Sequence, residues 1–101
     1  MSDWVQAGEG TQRRIVADGE KMMQVEVRFA AGAIGALHSH PHEQLTYVVR
    51  GRVNFTIGSE TRELQTGDII LIPGGVTHGA QALEDTLLLD TFSPPRADFR
   101  T

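Results

Sequence analysis

The chain contains no cysteine, so no disulfide holds it together and no thiolate serves as nucleophile or metal ligand. It has no long basic run, and its formal net charge is −4 at pH 7. That balance argues against nucleic acid or an anionic membrane surface as the main partner. Residues 1–10 lack the apolar core of a signal peptide. The longest apolar runs, such as Ile69–Ile72, are far too short to span a bilayer. The expected location is therefore the cytoplasm. No long stretch carries a 3.6-residue period, and no linker or low-complexity segment interrupts the chain.

What is present reads as one small all-β domain. The 101 residues are enough for a single unit over 1–101, and a core of that size makes help from a partner subunit plausible. Glycine and proline punctuate the chain at short intervals. Met23–Phe29 alternates apolar and polar residues, as a half-buried strand does. Residues 44–50 form a β-branched and aromatic run ended by Gly51, and residues 53–57 alternate again. Gly58-Ser59 fits a tight hairpin turn, with residues 60–64 returning. Ile69–Ile72 is a short apolar strand stopped by Pro73, and residues 86–92 are the last clear strand before Pro94-Pro95. Short, evenly spaced strands of this kind suggest a sandwich or a jelly-roll barrel.

Three of the four histidines cluster in His38-Ser39-His40-Pro41-His42. Residues two apart in a strand share a face, so His38 and His40 can aim both imidazoles at one point, and Gln44 has the same parity. Two imidazoles on one face are half of a site for Zn, Ni, Fe, Cu or Mn. His78, behind the turn at residues 73–77, is the one histidine left to supply a third. Taken alone, the same histidines are compatible with scattered polar positions. Pro41 breaks the alternation, and His42 is expected at the rim of the site.

The spacing closely resembles that of the cupin superfamily. Gly32, His38, His40, Gln44 and Gly51 stand where the first cupin motif has Gly, His, His, Glu and Gly. Gly67, Pro73, Gly75 and His78 stand where the second has Gly, Pro, Gly and His, with Ala82 in place of its final Asn. Fifteen residues separate the two motifs. The resemblance implies a double-stranded β-helix barrel holding one divalent transition metal ion, Ni, Zn, Mn or Fe, through His38, His40, Gln44 and His78. Gln44 replaces the usual carboxylate. Three imidazoles and an amide leave the full charge of the ion uncompensated, which favours an anionic ligand and stronger Lewis acidity. The two-His-one-carboxylate arrangement of Fe(II) oxygenases is then missing. Glu43 has the opposite parity and is not expected to substitute.

In the last strand, Leu88, Asp90 and Phe92 share a face. An aspartate among apolar residues needs a partner, a metal or a water-filled cavity. One reading is a plain ion pair with Arg96 across the Pro94-Pro95 corner. The other follows from a second resemblance. His38 to Gln44, together with Asp90 to Arg96, is similar to the small cupins of pectin and alginate breakdown, which open the ring of unsaturated monouronates. That resemblance implies catalytic roles for Asp90 and Arg96, and substrate contacts from Phe92 and Arg96. The expectation is a metal-dependent lyase- or isomerase-type enzyme acting on a small anionic sugar acid. The alternatives are an oxygen-using cupin of dioxygenase type and a non-catalytic sugar- or effector-binding module. Leu45, Tyr47 and Val49 lie opposite Gln44 and would expose an apolar patch on a monomer, so a homodimer is expected.

Overall fold

The computed structural model describes residues 3–100. Its strands are β1 (Val5–Gly8), β2 (Thr11–Asp18), β3 (Met23–Phe29), β4 (Ile34–His38), β5 (Glu43–Arg50), β6 (Arg52–Ile57), β7 (Glu60–Gln65), β8 (Ile69–Ile72), β9 (His78–Ala82) and β10 (Thr86–Ser93). A single 3₁₀ turn, Ala97–Phe99, follows. Six strands form one sheet in the order β1-β2-β3-β10-β5-β8, and four form a second in the order β4-β9-β6-β7. Every pairing is antiparallel. This is the all-β jelly roll expected from the strand spacing.

Alternation decides which residues enter the space between the sheets. On β5, Gln44, Thr46 and Val48 are buried while Glu43, Leu45 and Tyr47 are exposed. On β10, Leu88, Asp90 and Phe92 turn inward, as their shared parity requires. One core cluster gathers Phe29, Val48, Val53, Phe55, Leu64, Ile70, Ile72 and Leu88. Burial of each large apolar side chain there stabilises the fold by about 1.5–3 kcal/mol. A second, smaller cluster of Met23, Val25 and Phe92, with Ile15 and Phe99 against it, stands under the C-terminal turn.

Turn chemistry matches the sequence at the sharp bends. Ile57 pairs with Glu60 across Gly58-Ser59, and Gly58 has φ +59°, where a side chain would be strained. Gly51 is constrained twice. Its φ is +107°, and a Cβ there would lie 2.5 Å from Thr86 Oγ1 and 2.6 Å from the Asp85 carbonyl oxygen.

β1, β2 and β9 were not among the strands expected from sequence, and β4, implied only by the His38–His40 parity, ends at His38. Their inward positions explain why. β2 turns Thr11 and Arg13 inward, and β9 begins at a buried histidine and continues through glycine and alanine. These strands line a cavity rather than a dry core, so their inner faces carry polar or small residues and the apolar alternation is lost. Among the described residues, no helix is long and apolar enough to cross a membrane.

Candidate metal centre and its cavity

His38 is the last residue of β4 and His78 the first of β9, and the two are directly opposite in the antiparallel register. Their ring centroids are 4.4 Å apart. The strand ends at His38, so His40 does not reach the site by strand parity. It sits in the loop before β5, with its ring centroid 5.7 Å from that of His38 and 4.9 Å from that of His78. The turn after β8 holds that loop in place. The Gly75 N–H donates to the His40 carbonyl at 2.8 Å, and Gly74 packs so closely that a Cβ would collide with the Pro41 carbonyl oxygen. One ring nitrogen from each of His38, His40 and His78 falls within 4.8 Å of the others.

Backbone carbonyls fix the tautomer of all three rings. The Nδ1–H of His38 donates to Ala36 at 2.8 Å, that of His40 to His42 at 3.1 Å, and that of His78 to Val76 at 2.9 Å. A carbonyl only accepts, so each Nδ1 carries the proton and each Nε2 is left with a lone pair. Burial holds the pKa of His40 and of His78 below the ordinary imidazole value, which keeps both rings neutral and able to ligate.

Two details show that this donor set fits a cation. His78 Nε2 is buried without a hydrogen-bond partner. His40 Nε2 lies 2.9 Å from Gln44 Oε1, so a lone pair faces an amide oxygen. The orientation of that amide is set from below. Gln44 Nε2 donates to Thr46 Oγ1 at 2.9 Å, and Thr46 Oγ1 donates to Asp90 Oδ1 at 2.7 Å. With the Thr46 proton committed to the carboxylate, Gln44 must present its NH₂ to Thr46 and its oxygen to His40. Three imidazole nitrogens and one amide oxygen thus converge with no donor hydrogen among them. A divalent transition metal matches that arrangement.

Asp90 is buried, and burial is the main force raising its pKa to about 6. The hydrogen bonds from Thr46 and Gln44 and the charge of Arg96 oppose that rise. The Asp90–Arg96 ion pair, one of the two readings of the sequence, does not form. Arg96 instead bonds Asp98, Nε to Oδ1 at 3.1 Å and Nη2 to Oδ2 at 2.9 Å. Its guanidinium also lies 5.1 Å from the Phe92 ring centroid and 4.2 Å from that of Phe99. The Pro94-Pro95 corner turns Arg96 toward the following 3₁₀ turn, where Asp98 is nearer than the strand interior.

A cavity of about 330 Å³ joins these groups. His38, Gln44, His78, Asp90, Phe92 and Arg96 all contribute to its lining, and His40 stands behind it against His38 and His78. His42 stands at the edge, half-buried, with its ring 5.3 Å from that of His40, and its carbonyl holds the His40 ring. Glu43 is exposed, as its parity required. Thr46 was missed from sequence, although its parity with Gln44 on β5 was the signal that could have found it. Arg13 and Thr11 were missed because β2 itself was.

Comparison with known proteins bears on this geometry. Residues 25–92 match the family model described as the cupin domain. The pectin degradation protein KdgF of Dickeya dadantii (strain 3937) is 43% identical over 98 residues, covering 95% of this chain and 89% of that protein. A solved structure of KdgF from Halomonas sp. superposes with a TM-score of 0.92 at 43% identity, over 97% of this chain and 91% of the other. An RmlC-like cupin from Shewanella frigidimarina also gives a TM-score of 0.92, at 35% identity, over 96% and 87% of the two chains.

Proposed function

Because the chain belongs to the cupin family, we propose that it is a metal-dependent enzyme that opens and isomerises the ring of unsaturated uronates. One observation carries this reading. A buried carboxyl group with a raised pKa, Asp90, is joined through Thr46 to Gln44, a member of the candidate donor set, and both face the same cavity. The likeness to a pectin degradation protein supports a sugar acid as the substrate.

His38, His40, His78 and Gln44 would hold one divalent ion, which when bound supplies Lewis acidity toward a substrate oxygen. The remaining chemistry belongs to the chain. Ring opening removes a proton from the anomeric hydroxyl and breaks the bond between that carbon and the ring oxygen. The electrons of that bond pass to the ring oxygen, leaving an enolate, and the far carbon of the former ring double bond then takes up a proton. No atom is added and nothing is oxidised. Asp90 is the group that accepts the first proton and returns one to carbon. A pKa near 6 suits both tasks near neutral pH. Phe92 forms an apolar wall, and Arg96 supplies positive charge at the rim toward which the substrate carboxylate is drawn.

The test is incubation with an unsaturated monouronate followed by NMR, with and without EDTA. Loss of the ring vinyl signal and growth of linear keto acid only with metal is the expected result. Tight binding without turnover would favour the binding module, and oxygen uptake the dioxygenase-type reading.

A homodimer belongs to the same proposal. The outward residues Leu45 and Tyr47 of β5 pair with Leu71 and Ile69 of β8. Leu71 is 50% exposed and Ile69 63%, so four large apolar side chains form a continuous patch, with Val49 half-buried beside it. Patches of this kind usually mark an interface.

A further inference from the structure

Arg13 occupies an inward-facing position on β2. Thr11, Arg13 and Ile15 share one face, opposite Phe29, Val27 and Val25 of β3, while their neighbours Gln12 and Arg14 turn outward to bond Arg28 and Glu26. A guanidinium on the inner face of a sheet ordinarily has a carboxylate within reach. Among the described residues, the Arg13 guanidinium makes no ion pair and no hydrogen bond, and its contact is with the Phe99 ring, 4.2 Å from the centroid. Glu26 is engaged by Arg14, Asp18 by Arg100 and Asp98 by Arg96, and Asp3, which lines a neighbouring groove with Arg13, makes no ion pair with it.

A second observation points to the same place. Thr11 is 5% exposed, and its buried hydroxyl has no hydrogen-bond partner. Thr11 and Arg13 both line the cavity that holds Asp90 and the histidines. Arg96 lines it too, but the Nε/Nη2 edge of its guanidinium is spent on Asp98. Arg13 and Arg96 each stand 4.2 Å from the Phe99 centroid, and they differ in that the Nε edge of Arg96 is taken by Asp98 while Arg13 has no carboxylate on it.

We propose that Arg13 and Thr11 form the acid-binding subsite of this cavity. The Arg13 fork makes the direct bidentate contact with the carboxylate of the sugar acid, the Thr11 hydroxyl serves a ring hydroxyl beside it, and Arg96 stays with Asp98 at the rim. The identity of the acid rests on the uronate reading above. The placement of the subsite does not.

The experiment therefore has two arms. In the first, the intact protein is titrated with D-galacturonate and with its neutral methyl ester, following the arginine Nε–Hε signals by NMR. The Arg13 signal is expected to move with the acid and not with the ester. Arg13→Gln is expected to weaken acid binding by about tenfold or more, and Arg13→Lys by a smaller factor because it keeps the charge and loses the fork. Arg14→Gln, on the outer face, is expected to change nothing. In the second arm, unsaturated uronate turnover by Arg13→Lys should show a raised KM with kcat within about threefold of wild type. Equal binding of acid and ester, an unmoved Arg13 signal, or wild-type affinity in a folded Arg13→Gln protein overturns the proposal. Absence of turnover in the wild type overturns the ring-opening reading alone, since the first arm still decides Arg13.

Discussion

Thr46 donates its hydroxyl proton to Asp90 across 2.7 Å, and that bond orients the cavity above it. Because the Thr46 oxygen then only accepts, the Gln44 amide is locked with its oxygen toward His40. Replacement of Thr46 by valine keeps the shape and removes the lock. Thr46→Val is expected to fold and to lose metal affinity by about 10- to 100-fold, the usual range for residues that orient ligands. Titration with a competing chelator measures it, and unchanged affinity would mean that the amide is oriented by something else.

The donor set itself makes a graded expectation. Purified protein should carry close to one divalent ion per chain, and His38→Ala, His40→Ala and His78→Ala should each lose it. Gln44→Ala should weaken binding less, since an amide oxygen is a poorer ligand than an imidazole. Gln44→Glu should retain metal but slow any reaction that depends on polarisation of the substrate. Elemental analysis of each variant reads the first two outcomes directly. Full occupancy in the His78 variant would remove that residue from the site.

Asp90 carries an opposed pair of effects. Its pKa in the fold is raised from 3.8 to about 6, first by burial. The neutral carboxyl is thus the form the fold favours. Its contribution is fully present below about pH 4 and is lost as pH rises through 6. Above that pH the ionised, buried group costs about 3 kcal/mol. Asp90→Asn in metal-free protein should therefore be more stable than wild type at pH 7.5 and equal to it near pH 3.5, by denaturant titration. The same variant should lose turnover by about 10²-fold or more. Wild-type turnover in Asp90→Asn would dismiss the proton-transfer role, whatever the stability result.

The apolar face of β5 and β8 predicts assembly. Leu71→Glu places a charge in the middle of the patch without touching the cavity, since Leu71 points outward. Light scattering at micromolar concentration should give a dimer for wild type and a monomer for the variant. A wild-type monomer would leave the exposed Leu71 and Ile69 without an explanation in self-association.

Sequence made the dry half of the molecule easy to read and the wet half difficult. Met23–Phe29 and residues 53–57 announce themselves because every second side chain meets a hydrocarbon core. β2 and β9 do not, because Thr11, Arg13 and His78 point into a cavity that rewards polarity. The gathering of His38, His40 and His78 was legible from motif spacing, yet strand parity does not account for His40. It reaches the site because Gly74 and Gly75 let the turn after β8 grip its loop, a long-range contact that local pattern does not encode. Of the two readings the sequence left open for Arg96, the ion pair with Asp90 is not formed, for a related reason. Its distance in sequence from Asp90 is short, but the proline corner aims it at Asp98 instead.

The origin of the four donors has a mechanical consequence. His38 and His78 belong to the four-stranded sheet, Gln44 to the six-stranded sheet, and His40 to the loop that joins them. An ion held by all four is a rivet through both layers, placed where the space between them is a cavity and hydrocarbon contact is scarce. At an ion concentration a hundredfold above the dissociation constant such a rivet adds about 2.7 kcal/mol to the folded state. That is a large fraction of what a domain of 101 residues holds in reserve. Hollowing out one end of so small a fold to admit a substrate would then be compatible with a firm structure, because an ion that supplied the chemistry would also clamp the walls around it.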